Sequence, residues 1–262
     1  MSEYRVLALG DIVGQESVAK VCRVLPSLKR EYKIDFTVAN GENAAQGNGL
    51  DRRTAETLLS SGIDVLTSGN HVWQKKEMVD YIDENPYVLR PANYPQGTPG
   101  KGSVIFDSFG MRILVMNVMG TVYLDALGCP FRAVEAMLQE NEGQYDLSIL
   151  DVHAEATSEK LALAHYFDGR INVIFGTHTH VLTADTRIFP KGTGYLTDLG
   201  MCGGVDSILG VSVDKVVTKF LTHMPVRFDN PVGPTELNGA VFAFDRASRR
   251  VTSVETVRRV VE

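Results

Sequence analysis

Short apolar runs alternate with helix-spaced apolar positions over the first two thirds of the chain. Tyr4–Leu9 reads as a buried strand. Val18, Val21, Cys22, Leu25 and Leu28 then recur at helical spacing, with Pro26 a candidate bend. Phe36–Ala39 and Val65–Thr67 read as further strands, and Arg53–Ser60 and the stretch around Lys75–Asp83 as helices, with Gly62 a stop signal. A turn-rich loop runs from Arg90 to Gly100. Ser103–Phe106 and Arg112–Asn117 flank Gly110 as a hairpin. Phe131–Gln139 is predicted helical, Leu147–Val152 a strand, Ser158–Phe167 a helix capped by Thr157, and Ile171–Phe175 another buried strand. The last third changes character. Tyr195–Thr197, Val226–Phe228, Ala240–Asp245 and Val251–Arg258 are short strand candidates broken by Gly, Asn and Asp. The pattern predicts one α/β domain over residues 1–262, with mixed β-sheets packed face to face and helices outside.

Composition narrows the partners. The chain has 262 residues, 44% hydrophobic and 22% charged, enough to bury a substantial core. A net charge of −6 offers no broad basic face, so stable nucleic-acid binding is not expected. A small anionic substrate stays open, because bound cations can reverse the local field. Cys22, Cys129 and Cys202 are odd in number, far apart and free of any Cys-x-x-Cys spacing, which points to inert thiols in a reducing compartment. The start lacks a basic region and a long apolar core, and no run reaches membrane-spanning length. A cytoplasmic protein without membrane contact is expected; a homo-oligomer and regulatory protein partners stay open.

The chemistry lies in a repeated rhythm of apolar run, glycine, then ligand-type residues. Gly10-Asp11, Gly41-Glu42-Asn43 and Gly69-Asn70-His71 show it three times, and Val152-His153 and Gly176-Thr177-His178-Thr179-His180 extend it. One aspartate after a strand is usually a cap or turn residue. Several such pieces at neighbouring strand ends converge on the crevice where α/β sheets place their sites, with each glycine allowing a sharp turn. Carboxylate, amide and imidazole donors without thiolate suit iron, manganese or zinc. Two divalent ions carry about four positive charges, and Asp11, Glu42 and a hydroxide remove about three, leaving a centre that attracts a phosphate ester. His71, beside a candidate ligand, is placed to protonate a leaving alkoxide. His165 and His223 stand outside the rhythm as surface or capping residues. Arg90 is a candidate phosphate or carboxylate contact. Asp185 is a candidate support for a ligand histidine or a turn residue. Glu155, Ser158 and Lys160 are candidate supports of the site, and Gly200–Gly204 a flexible rim loop.

Gly10-Asp11, Gly69-Asn70-His71 and Gly176-Thr177-His178-Thr179-His180 resemble the scattered signature of calcineurin-like metallophosphoesterases. The histidine usual two residues after the first aspartate is Val13, and the usual second aspartate is Glu42 followed by Asn43. Those departures, with Arg90-Pro91-Ala92-Asn93, His153-Ala154-Glu155-Ala156-Thr157-Ser158-Glu159-Lys160 and Thr197-Asp198-Leu199-Gly200-Met201, are similar to the YmdB-like branch. The resemblance implies the metallophosphoesterase sandwich of two mixed β-sheets flanked by helices. It implies a 2′,3′-cyclic nucleotide phosphodiesterase with two divalent or mixed-valence ions, iron first and manganese or zinc as alternatives. Asp11, Glu42, Asn43 and His180 would hold one ion. Glu42, Asn70, His153 and His178 would hold the other, with His71 the proton donor. Two rivals use the same residues: a phosphomonoesterase, and a metal- and nucleotide-binding regulator acting through partners.

Overall fold

The computed structural model describes residues 3–262. In chain order its elements are β1 (Glu3–Leu9), β2 (Asp11–Ile12), α1 (Gly14–Tyr32), β3 (Phe36–Asn40), α2 (Arg52–Ser60), β4 (Val65–Thr67), α3 (Met78–Glu84), β5 (Ser103–Ser108), β6 (Met111–Met119) and α4 (Pro130–Glu140). The second half adds β7 (Leu147–His153), α5 (Thr157–Phe167), β8 (Val173–Thr177), β9 (Arg187–Ile188), β10 (Gly194–Leu196), β11 (Met201–Gly204), α6 (Val213–Thr222), β12 (Thr235–Asp245) and β13 (Val251–Val261). One sheet has the order β2-β11-β12-β1-β3-β4, with β13 also paired to β12, and the other β5-β6-β7-β8-β10-β9. β1, β3 and β4 run parallel, as do β6, β7 and β8.

Strand after strand reads as an unbroken apolar run because both of its faces are covered. In β1, Tyr4, Val6 and Ala8 belong to the layer between the sheets, with Phe36, Val38, Ile149, Val173 and Phe175. Leu7 and Leu9 point the other way, onto Val18, Val21 and Leu25 of α1 and Ala55 and Leu58 of α2. In β6 the alternation repeats: Ile113 and Val115 face the first sheet, while Leu114, Met116 and Val118 pack on Val134 and Met137 of α4 and Leu163 of α5. The result is helices, sheet, sheet and helices, as the sequence pattern predicts.

Several expectations fail in instructive places. Gly200–Gly204 is not a flexible rim loop: Met201 and Cys202 pair with Asp11 and Ile12, and Gly203 and Gly204 with Glu236 and Thr235. Val226–Phe228 is not a strand. The last third instead holds α6, whose Val216 is buried while Val217, Phe220 and Leu221 face outward. Thr157 lies inside α5, and Ala156 precedes it without a side-chain cap. α1 continues through Pro26. The three cysteines are free, and burial pushes the Cys202 thiol up to about 12. Among the described residues, no helix is long and apolar enough to cross a membrane.

Candidate metal centre

The two sheets deliver the candidate ligands from opposite sides. Asp11 follows β1, Glu42 and Asn43 follow β3, and Asn70 and His71 follow β4. From the second sheet, His153 ends β7, and His178 and His180 follow β8. All stand at the carboxyl ends of parallel strands, where α/β sheets open their crevices.

The tightest convergence is on His153 Nε2. Asn70 Oδ1 lies 2.9 Å from it, His178 Nδ1 3.1 Å and Glu42 Oε1 3.2 Å. The ligand atoms of Glu42, His153 and His178 all lie within 4.8 Å of one another. The outer nitrogen of His178, Nε2, sits 3.2 Å from Glu155 Oε2, which favours a proton there and a lone pair on Nδ1. Burial and then the neighbouring His153 push the His178 pKa down to about 3, so its ring is neutral. Burial opposes charge on Glu42 and His153 alike. Their mutual attraction outweighs it, holding Glu42 at about 2 and raising His153 to about 9. Clustered oxygen and nitrogen lone pairs of this kind suit a cation.

A second group surrounds His180. Asp11 is fully buried; its Oδ2 accepts from the His178 backbone N–H at 3.0 Å. Its Oδ1 has no hydrogen-bond partner among the described residues, and burial raises its pKa. A buried orphan acceptor costs about 1–3 kcal/mol, and a cation would satisfy it. His180 Nε2 lies 3.7 Å from that oxygen, while its Nδ1 donates to Leu209 O at 3.0 Å. Asn43 is turned the other way: its Nδ2 faces Glu42 Oε1 at 3.1 Å and His180 Nε2 at 3.3 Å. Its Oδ1 lies 2.7 Å from His71 Nδ1. Ligation by Asn43 therefore requires its amide to turn over, which exchanges two ends of equal size. Val13 is buried, bridges the Asn43 backbone and leaves no ligand there.

The glycines serve by lacking a side chain, not by adopting left-handed backbone. None of Gly10, Gly41, Gly69 and Gly176 has positive φ. A Cβ on Gly69 would lie 2.1 Å from His153 Cδ2, 2.2 Å from its Nε2 and 2.4 Å from Glu42 Oε2. One on Gly176 would meet Thr197 O at 2.0 Å. Left-handed backbone falls instead on His178 (φ 97°) and His180 (φ 64°). Non-glycine residues there cost about 1–3 kcal/mol each and persist only where surroundings over-determine them. The bracing is a buried ion pair: Lys160 Nζ donates to Asp198 Oδ2 at 2.7 Å and to Thr177 O at 2.8 Å. Asp198 also accepts from the Thr179 and Gly200 backbone N–H groups.

Other candidates take humbler places. Among the described residues Arg90 contacts no carboxylate, and it donates instead to the carbonyls of Pro91, Ala92, Thr98 and Pro99, bracing its own loop. Asp185 accepts from Thr183 and Thr197, a turn role. Ser158 is exposed, and Glu159 accepts from the Thr121 backbone. His165 is exposed, and His223 caps α6. Sequence reasoning missed Asn40, Thr67 and Asp151, which with Thr177 form a buried polar knot behind His153. Burial raises Asp151 to about 6. A signal existed: a lone carboxylate inside the apolar run Leu147–Val152, two residues before His153 and so on its face of the strand.

A family profile described as YmdB-like protein matches residues 7–257. The 2′,3′-cyclic-nucleotide 2′-phosphodiesterase of Bacillus subtilis (strain 168) is 45% identical over 253 residues, covering 97% of this chain and 96% of its own. Two crystal structures align with a TM-score of 0.92 each. One, of a hypothetical protein from Thermus thermophilus, is 41% identical and covers 98% of this chain and 100% of that one. The other, of a novel phosphatase from Mycoplasma pneumoniae, is 33% identical and covers 99% of this chain and 94% of that one.

Proposed function

The chain belongs to the YmdB-like family, and from that premise we propose that it hydrolyses 2′,3′-cyclic nucleotides to 3′-nucleotides at a two-metal centre. The observation that carries this reading is the crowding of Asn70 Oδ1, His178 Nδ1 and Glu42 Oε1 within 3.2 Å of His153 Nε2. The orphaned Asp11 Oδ1 beside it supports room for a second cation. Asn70, His153 and His178 would hold one ion, Asp11, His180 and a turned-over Asn43 the other, with Glu42 between them. When bound, the ions supply Lewis acidity at the phosphoryl oxygens and a lowered pKa for water. The donor set suits iron, manganese or zinc alike, and iron is put first on the resemblance to the YmdB-like family.

The chain's residues do the rest. Glu42 and Asp11 set the negative charge of the cage, and the neutral amides and imidazoles keep the loaded site net positive toward a phosphodiester. His71 Nδ1 faces the Asn43 amide at 2.7 Å; once that amide is turned over, its Nδ2 would donate to Nδ1, so the hydrogen of this partly exposed ring sits on the free Nε2. That atom would give a proton to the departing ribose 2′-oxygen. The His71 backbone N–H donates to Glu42 Oε2 at 3.1 Å, which fixes the ring's base relative to the cluster.

The test separates binding from chemistry. His71→Ala should keep its metal content and lose turnover by about 10²–10⁴-fold. Unchanged turnover would remove the proposed acid. A panel of 2′,3′-cyclic AMP, 3′,5′-cyclic AMP and a phosphomonoester tests the substrate. Preference for the monoester would favour instead a phosphatase activity like the one by which the Mycoplasma pneumoniae relative is described.

A further inference from the structure

We propose that Asp151 is the positioning residue that decides which ring nitrogen of His153 is free for a metal, acting through the hydroxyl of Thr177. The inference rests on the metal-centre reading above and adds a residue that belongs to neither ligand set. Asp151 is fully buried in β7. Its Oδ2 accepts from the Thr67 hydroxyl at 2.5 Å and from Asn40 Nδ2 at 3.3 Å, and its Oδ1 from the Thr177 hydroxyl at 2.8 Å. Asn40, Thr67, Asp151 and Thr177 lie at or near the ends of β3, β4, β7 and β8, so the knot ties together four strands from both sheets.

Proton counting gives the direction. Thr177 has one hydrogen, and an ionised carboxylate can only accept it. Toward His153 Nδ1, 2.9 Å away, Thr177 Oγ1 then offers only a lone pair. The other group facing Nδ1, the Asn40 Nδ2 donor, is farther away at 3.4 Å and has Asp151 and Thr177 as closer acceptors. Nδ1 therefore carries its hydrogen toward Thr177, and Nε2 is the nitrogen left to offer a lone pair to a metal. With no metal bound, the pull of Glu42 keeps a hydrogen on Nε2 as well, donated to Glu42 Oε1 at 3.2 Å. A metal would have to displace that hydrogen. Asp151 then holds the remaining one on Nδ1, so the ring does not turn its proton back toward the cluster.

Asn40 makes the choice testable with a single isosteric change. Its Oδ1 accepts from the Glu42 backbone N–H at 3.1 Å, so its Nδ2 end is committed to the knot as a donor. In Asp151→Asn, the new amide oxygen is drawn to the side where Asn40 and Thr67 donate. The new NH₂ then faces Thr177, turns that hydroxyl into an acceptor, and sends its hydrogen to His153 Nδ1. Metal affinity at the His153 site should fall about 10–100-fold, as it does when outer partners of ligand histidines are removed.

The experiment measures metal content of the zinc-loaded protein against graded chelator, and the ¹⁵N shifts of the His153 ring. Asp151→Asn should lose the ion and move the ring proton from Nδ1 to Nε2. Thr177→Val should also lose the ion, and Thr177→Ser, which keeps the hydroxyl, should retain it. Native metal content and a native ring signal in Asp151→Asn would overturn the proposal. If that variant does not fold, equal metal retention by Thr177→Val and Thr177→Ser would overturn it instead. Failure of the unmutated protein to bind two ions would sink the metal-centre reading itself, a distinct result.

Discussion

The two halves of the ligand cluster are built to different standards. Around His153 the three atoms facing Nε2 lie within 3.2 Å, the ring is fully buried, and its rear nitrogen rests on a knot of four strand ends. Around His180 the nearest carboxylate oxygen is 3.7 Å away, and the ring is partly exposed. Its rear nitrogen hangs on the carbonyl of Leu209, itself exposed and at φ 52°. Asn43, the amide proposed to stand in for an absent imidazole, faces the wrong way until it turns. One half is positioned by rigid strands and the other by loops. Sites carried on strands hold their geometry more tightly than sites carried on loops.

The largest expected effect comes from the point where both halves meet. Gly69→Ala places a methyl group 2.1–2.4 Å from the His153 ring and Glu42 Oε2. Backbone and buried ligands leave nowhere for it to go, so His153 and Glu42 must separate. If the proposed two-ion centre holds, elemental analysis should find the ion at His153 lost, while circular dichroism stays native. Full retention of two ions would show that the halves are more plastic than these distances imply.

Next in size is the brace that the halves share. The Thr177–His180 turn supplies His178 to one half and His180 to the other, and its two left-handed histidines are held against Lys160 and Asp198. Lys160→Met leaves the Asp198 carboxylate fully buried without its counter-charge. Breaking such a pair from one side typically costs about 3–5 kcal/mol. Urea unfolding should report a loss in that range. A loss under about 1 kcal/mol would mean that water or another donor compensates, and that the turn is not held by this pair.

What the sequence made legible divides along the same line. Tyr4–Leu9, Leu147–Val152 and Val65–Thr67 stood out because strands covered on both faces are continuously apolar. The ligand candidates stood out because carboxylate, amide and imidazole groups seldom cluster after apolar runs, and the structure links all seven in one chain of contacts. The knot behind His153 did not stand out. Its Asp151–Thr177 bond joins residues 26 apart, and only sheet pairing reveals that they are neighbours. The role of the glycines was misread for the same reason: what a missing Cβ makes room for is decided by other strands. α6 escaped because its apolar face packs on little, so its helical spacing of Val213, Val216, Val217 and Phe220 was lost among turn residues. The orientation of Asn43 has no sequence signal, since the two ends of an amide are the same size.

The smallest effect is the one that most directly ranks the halves. If rigidity sets affinity, graded chelation should remove the ion on Asp11 and His180 before the ion on His153 and His178. The Asn43 amide must turn over to ligate, and an amide oxygen is a weaker donor to late transition metals than the imidazole that Val13 lacks. A difference of about 1.4 kcal/mol corresponds to tenfold in dissociation constant, enough to resolve two steps in a titration with stoichiometry read at each chelator concentration. His180→Ala should then abolish the early step and leave the late one in place. Loss of both ions in one step from the unmutated protein would mean that Glu42, shared between them, couples the halves so strongly that their unequal construction has no thermodynamic consequence.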